Sequence, residues 1–221
     1  MEIEGVKWNY DRHELIADGI VHGVGVALAL VGVTALVVYA ALWASGGQLA
    51  ATLVYGAGLL ITLSVSFAYN LWPISPTKWR LRRFDHAAIF VLIAATYTPF
   101  LQRGADHPAL AAMLVGIWIA AAAGAALKFA CPGRYDRLAI GLYLAMGWSG
   151  VLAAGPLAAR LPAGTLMLIV AGGLIYSVGV LFHVWERLRF QNAIWHAFVV
   201  AAAAVHYSAV LNSVVSAAPG L

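Results

Sequence analysis

An all-α integral membrane protein of seven spanning helices is the fold class this sequence predicts. Three observations carry that expectation. Of 221 residues, 63% are hydrophobic and only 10% charged, whereas a soluble domain carries about 25% charge. Seven apolar segments approach or exceed the roughly 20 residues that a helix needs to cross a bilayer. Eleven of the thirteen Lys and Arg residues fall on one side of that pattern.

Taken in order, residues 1–16 form a polar N-terminal segment. Its mixed charge, which continues to Asp18, reads as a short cytoplasmic or interfacial helix. The spans are expected at about 17–43, 47–70, 84–102, 108–130, 136–155, 162–185 and 193–215, followed by a short extracytoplasmic tail over 216–221. The transmembrane domain therefore covers 17–215. Strands of a membrane barrel would alternate and be about half as long. With no alternation present, backbone groups in lipid can be satisfied only within helices. The first apolar run is too long for the hydrophobic core of a signal peptide.

The basic residues set the expected orientation. Lys7 and Arg12 precede the first span. Lys78, Arg80, Arg82 and Arg83 lie between the second and third. Lys128, Arg134 and Arg137 lie between the fourth and fifth, and Arg187 and Arg189 between the sixth and seventh. The other side holds only Arg103 and Arg160. The positive-inside rule then puts the N-terminus in the cytoplasm and the C-terminus outside a cell membrane. That is the reverse of a rhodopsin-like receptor. The net charge of +4 reads as helix-end anchoring in contact with membrane lipids, with no nucleic-acid partner expected. The single cysteine, Cys131, excludes an intrachain disulfide and reads as packing. Glycines and the alanine runs at 120–123 and 201–204 read as close helix packing.

With spans and sides assigned, depth follows from position. His22, Ser66, Asn70, Asp85, His86, His183, Asn192 and His196 all fall in the half of the membrane nearest the basic loops. Polar groups there are costly unless paired or facing a cavity. Ser66 and Asn70 are four apart, as are Asn192 and His196, and residues at that spacing share a helix face. Two such faces with Asp85 could enclose one small volume. The alternatives stay open at this stage. Asp85 would equally serve as the N-terminal cap of the third span. Asn70 and Asn192 could be terminal caps, and His196 a hydrogen-bonded interior histidine. His206, ten residues beyond His196 and so about 15 Å deeper, reads as an interhelical hydrogen bond. His86, adjacent to Asp85, points elsewhere around the helix.

Several stretches carry a resemblance: Ser66-Phe-Ala-Tyr-Asn70, Leu-Arg-Arg-Phe-Asp85-His-Ala-Ala-Ile-Phe, Ala-Thr-Tyr-Thr-Pro99-Phe, Leu142-Tyr-Leu-Ala-Met-Gly-Trp148, Gly172-Gly-Leu-Ile-Tyr-Ser-Val-Gly179 and Asn192-Ala-Ile-Trp-His196. Together, from about Glu14 to Val210, they resemble the hemolysin III family, which belongs with the progestin and adiponectin receptors. The resemblance implies seven helices with a cytoplasmic N-terminus. It also implies a zinc site made of Ser-x3-His on the second helix, Asp on the third and His-x3-His on the seventh. Those positions fall on Ser66, Asn70, Asp85, Asn192 and His196, so two of three histidines are Asn here. Asp85 and His196 would be the metal ligands if zinc were retained, below the three protein ligands usual for catalytic zinc. His22 or His183 could supply a missing ligand.

The expectation is therefore a degenerate zinc site, with no cofactor, in which amides that both donate and accept replace the metal. The corresponding function is a non-enzymatic membrane protein: channel-like, lipid-sensing or engaged in membrane homeostasis. The alternatives are a zinc-dependent, ceramidase-like lipid amide hydrolase and a cytolytic pore-forming protein.

Overall fold

The computed structural model describes residues 10–217. All regular structure among them is helical: α1 Arg12–Trp43, α2 Gly46–Leu71, α3 Pro76–Gln102, α4 Pro108–Ala130, α5 Asp136–Trp148, a 3₁₀ segment Ser149–Ala153, α6 Ala154–Ala158, α7 Ala163–Val184 and α8 Gln191–Val215. Among the described residues, seven stretches are long and apolar enough to span a bilayer, the fifth being Asp136–Ala158 as a whole. The surface agrees with lipid as solvent. Val31, Leu42, Ile119, Leu152, Met167 and Leu181 are all exposed, and water would penalise so much outward-facing apolar surface.

Helices α2 and α3 sit centrally, with about half of each apolar stretch buried. α1, α4 and α8 pack around them, and α7 packs against α8. Close approach depends on small residues. A Cβ added at Gly124 of α4 would lie 2.4–2.6 Å from the ring of Phe90 on α3, so only glycine admits that ring.

Two boundaries correct the sequence-based expectation. α1 begins at Arg12, not near residue 17, because Asp11 and Glu14 form a reciprocal capping box. The helical part of the polar segment is thus continuous with the first span, and residues 1–9 lie outside the described residues. α3 begins at Pro76 with Ser75 as its N-cap, not near residue 84. Proline suits the first helical turn, whose N–H groups have no intrahelical partner. Asp85 lies nine residues inside α3, so the capping role considered for it is overturned.

The Lys- and Arg-rich end is held by charge. Lys78 reaches from the first turn of α3 to the carbonyls of Tyr69, Asn70 and Trp72 at the end of α2, at 2.9–3.0 Å. A cation there complements the helix dipole. Asp136 of α5 accepts from Arg82 of α3 at 2.5 Å and Lys128 of α4 at 2.7 Å, joining three helices.

Candidate functional site

The polar centre begins with the acidic face of α1. Asp11, Glu14, Asp18 and His22 recur at three- and four-residue spacing, so they line one face. Glu14 accepts from the Asp11 amide at 2.9 Å and also from the Phe190 amide at 3.0 Å. Phe190 precedes α8 in a left-handed conformation (φ 59°), uncommon for a bulky residue. The bond from its amide to Glu14 fixes that turn and sets the start of α8 against α1.

Asp18 is then the hub, and only 2% of it is exposed. Its Oδ1 accepts from His196 Nδ1 at 2.7 Å, and its Oδ2 from Asn192 Nδ2 at 3.0 Å. Asn192 uses the same amide nitrogen to reach Asn70 Oδ1 at 2.9 Å. Asn70 Nδ2 turns to the carbonyl and hydroxyl of Ser66 at 2.9 and 3.3 Å. Ser66 Oγ lies 3.2 Å from His22 Nε2, and His22 Nδ1 donates to the Asp18 carbonyl at 2.9 Å. That last contact assigns the proton to Nδ1, so a neutral His22 accepts at Nε2. The circuit runs through α1, α2 and α8, and the His22 and His196 rings meet at 4.2 Å.

The five residues singled out in the sequence occupy this neighbourhood in different ways. Ser66, Asn70, Asn192 and His196 are joined through the circuit. Asp85 is buried and faces Ser66, His196 and Arg82, while the direct carboxylate partner of His196 is Asp18. His86 points away, 3.8 Å from Asp136. His183 packs on Trp195 instead. His206 bonds the Ile169 carbonyl on α7. Sequence reasoning missed Asp18, having placed it in the polar flank. Its four-residue spacing from His22 was the available signal.

The fit to zinc can be tested on these contacts. At the positions the resemblance assigns to metal, Asn70 and Asn192 present amides already engaged with each other, Ser66 and Asp18. One imidazole and one carboxylate remain, so that set does not fit. A different set has the right chemistry: one donor atom each from Asp18, His22 and His196, all within 4.8 Å of one another. Two imidazoles and a carboxylate are a known catalytic zinc set. Two ligands on a tetrahedral zinc would stand about 3.3 Å apart, given zinc–ligand bonds near 2.0 Å. The Asp18–His196 separation of 2.7 Å is instead that of a charge-assisted hydrogen bond.

Comparisons with known proteins agree with this architecture. Residues 10–207 match the family model described as haemolysin-III related. The chain is 35% identical over 198 residues to the Hemolysin-3 homolog of Bacillus subtilis (strain 168), covering 90% of this chain and 93% of that one. It is 34% identical over 165 residues to the monocyte to macrophage differentiation factor of Homo sapiens, covering 71% and 67%. It is 30% identical over 187 residues to the heptahelical transmembrane protein ADIPOR2 of Oryza sativa subsp. japonica, covering 72% and 79%. With nine-tenths of its length matched and seven membrane-capable helices in place, the chain belongs to the hemolysin III family, within the progestin and adiponectin receptor superfamily.

Proposed function

We propose that this chain is a resident, non-enzymatic member of its family in which hydrogen bonding takes the place that the resemblance gives to zinc. It works in the cell membrane among lipids, with its N-terminus inside, in a channel-like, lipid-sensing or membrane-homeostasis role. The observation that carries this reading is the Asn192 amide. It bridges Asp18 and Asn70, using both of its N–H donors where a histidine would offer a ring nitrogen to metal. A buried polar network of this kind fixes how α1, α2 and α8 meet. It also leaves Asp18 and His196, a carboxylate–imidazole pair, as the groups able to hold or pass a proton.

A second reading rests on the Asp18, His22 and His196 set. If it held zinc, the metal would supply Lewis-acid activation of water, as a ceramidase-like amide hydrolase requires. Asp18, His22 and His196 would hold the ion, with Ser66 beside them. A cytolytic pore has less support. Seven long apolar helices suit permanent residence in a bilayer rather than a secreted lysin.

A ceramide turnover assay with and without chelator separates the first two readings. No chelator-sensitive hydrolysis is expected, and sustained turnover abolished by chelator would overturn the non-enzymatic reading. The proton-passing version is tested in liposomes with a pH-sensitive dye. The Asp18→Asn, His196→Ala double variant should leak protons more slowly than wild type. Equal rates would exclude the relay.

A further inference from the structure

The fifth span is built in pieces. α5 ends at Trp148, the 3₁₀ segment runs Ser149–Ala153, and α6 completes the crossing at Ala158. Among the described residues the other six crossings are single helices. An unbroken α-helix would pair the Gly150 amide with the Met146 carbonyl, and the Val151 amide with the Gly147 carbonyl. Here Ser149 covers the Met146 carbonyl with its backbone amide and with its hydroxyl, the latter at 2.7 Å. Tyr97 of α3 serves groups on both sides of the break. Its Oη accepts from the Gly150 amide at 2.8 Å and donates to the Gly147 carbonyl at 2.7 Å. Backbone groups freed inside a bilayer must find partners within the protein, and one phenol supplies two.

The surroundings are consistent with a deliberate break. A Cβ on Gly150 would lie 3.1 Å from Tyr97 Oη, so glycine admits the phenol at this range. Pro156 suits the first turn of α6, but a proline does not by itself dictate a break, since Pro99 sits inside α3 without interrupting it. The part before the break is tied down. Asp136 holds Arg82 and Lys128, Tyr143 donates to the His86 carbonyl at 2.8 Å, and Trp148 donates to Ser177 Oγ at 3.0 Å. Beyond it the hold is slight: from Ser149 to Ala158 only Ala153 and Leu157 are buried.

We propose that Tyr97 is a latch that keeps the fifth span broken, and that its release lets the span close into one α-helix with its outer part turned. A 3₁₀ stretch within a helix often marks such a hinge, and two discrete packings of one element are what a conformational switch requires. Each 3₁₀ residue rises about 2.0 Å and turns about 120°, against about 1.5 Å and 100° in an α-helix. Closing the five-residue segment therefore draws Ala154–Ala158 inward by about 2.5 Å and turns it by about 100°. On a helix about 10–12 Å across, that turn carries a surface position about 8 Å. The tied inner part stays in place, so the change is confined to the outer half of the bundle, away from the Asp18 circuit.

Electron–electron distance measurements in nanodiscs test this. A nitroxide on Ala158→Cys, in a Cys131→Ser background, is measured against a second nitroxide at Val31→Cys of α1 or Met167→Cys of α7; all three labelled positions are exposed. Tyr97→Phe is expected to add a second resolved peak, displaced by about 5 Å or more in at least one of the two separations. Gly150→Ala, which crowds the phenol and favours the helix, should populate the same peak. Tyr143→Phe removes a phenol that clasps the same span away from the break, and should leave the distances as they are without it. Distances unmoved in both latch variants, broadening without a new peak, or an equal shift in Tyr143→Phe would overturn the proposal.

Discussion

Replacing Asp18 with alanine removes the acceptor shared by His196 and Asn192, and the loss can be sized from their contacts. Two donors, at 2.7 and 3.0 Å, would be left buried. In a water-soluble core each orphaned donor costs about 1–3 kcal/mol. Interhelical hydrogen bonds in membranes average nearer 0.6 kcal/mol, reaching about 1.7, because the unfolded chain in lipid also finds partners. Removing a buried carboxylate also relieves its own desolvation, which offsets part of the loss. The expected destabilisation of Asp18→Ala is therefore about 1–3 kcal/mol, from two contacts of about 0.6–1.7 kcal/mol each less the desolvation relief. Reversible unfolding in mixed micelles, titrated with SDS and followed by helical circular dichroism, reads it directly. Asp18→Ala combined with His196→Ala should cost clearly less than the sum of the two single changes, since both break one bond. Strict additivity, or an Asp18→Ala variant within about 0.3 kcal/mol of wild type, would refute the hub role, because that is the scatter of independent sites.

Three further outcomes are expected. Gly124→Ala should cost about 1–3 kcal/mol by overpacking, since Phe90 is fully buried beneath it; the same unfolding titration checks it. Asn70→His with Asn192→His should restore the ligand pattern implied by the family resemblance and raise zinc content toward about one per chain, read by elemental analysis. Hydrogen bonding from Arg160 holds the Asp106 carboxyl below its ordinary range. Its stabilising contribution is present above the unfolded value of about 3.9 and is lost as pH falls through the depressed one. A thermal melt series at acid pH should therefore fall less steeply for Asp106→Asn than for wild type.

The seven spans were legible because lipid demands long apolar runs, and Lys and Arg mark one set of helix ends. The pairs Ser66–Asn70 and Asn192–His196 were legible because four-residue spacing fixes a face whatever the surroundings. Asp18 was not, because α1 is polar for its first two turns, and an apolar window cannot see a helix started by a capping box. The same masking hid the first turns of α3, where Lys78, Arg80, Arg82 and Arg83 give no apolar period. There Ser75-Pro76 was the start signal that would have moved Asp85 into the helix interior. Nor does any local pattern pair Asp18 with His196, 178 residues apart. The bond that the Phe190 amide donates to Glu14 brings them together, and it depends on a left-handed turn at a bulky residue.

Zinc content of protein purified in mild detergent without chelator bears most directly on whether hydrogen bonds have replaced the metal. Far less than about one zinc per chain is expected, with the native fold retained. About one tightly held zinc per chain, lost in His22→Ala, would contradict it and place the ion among Asp18, His22 and His196.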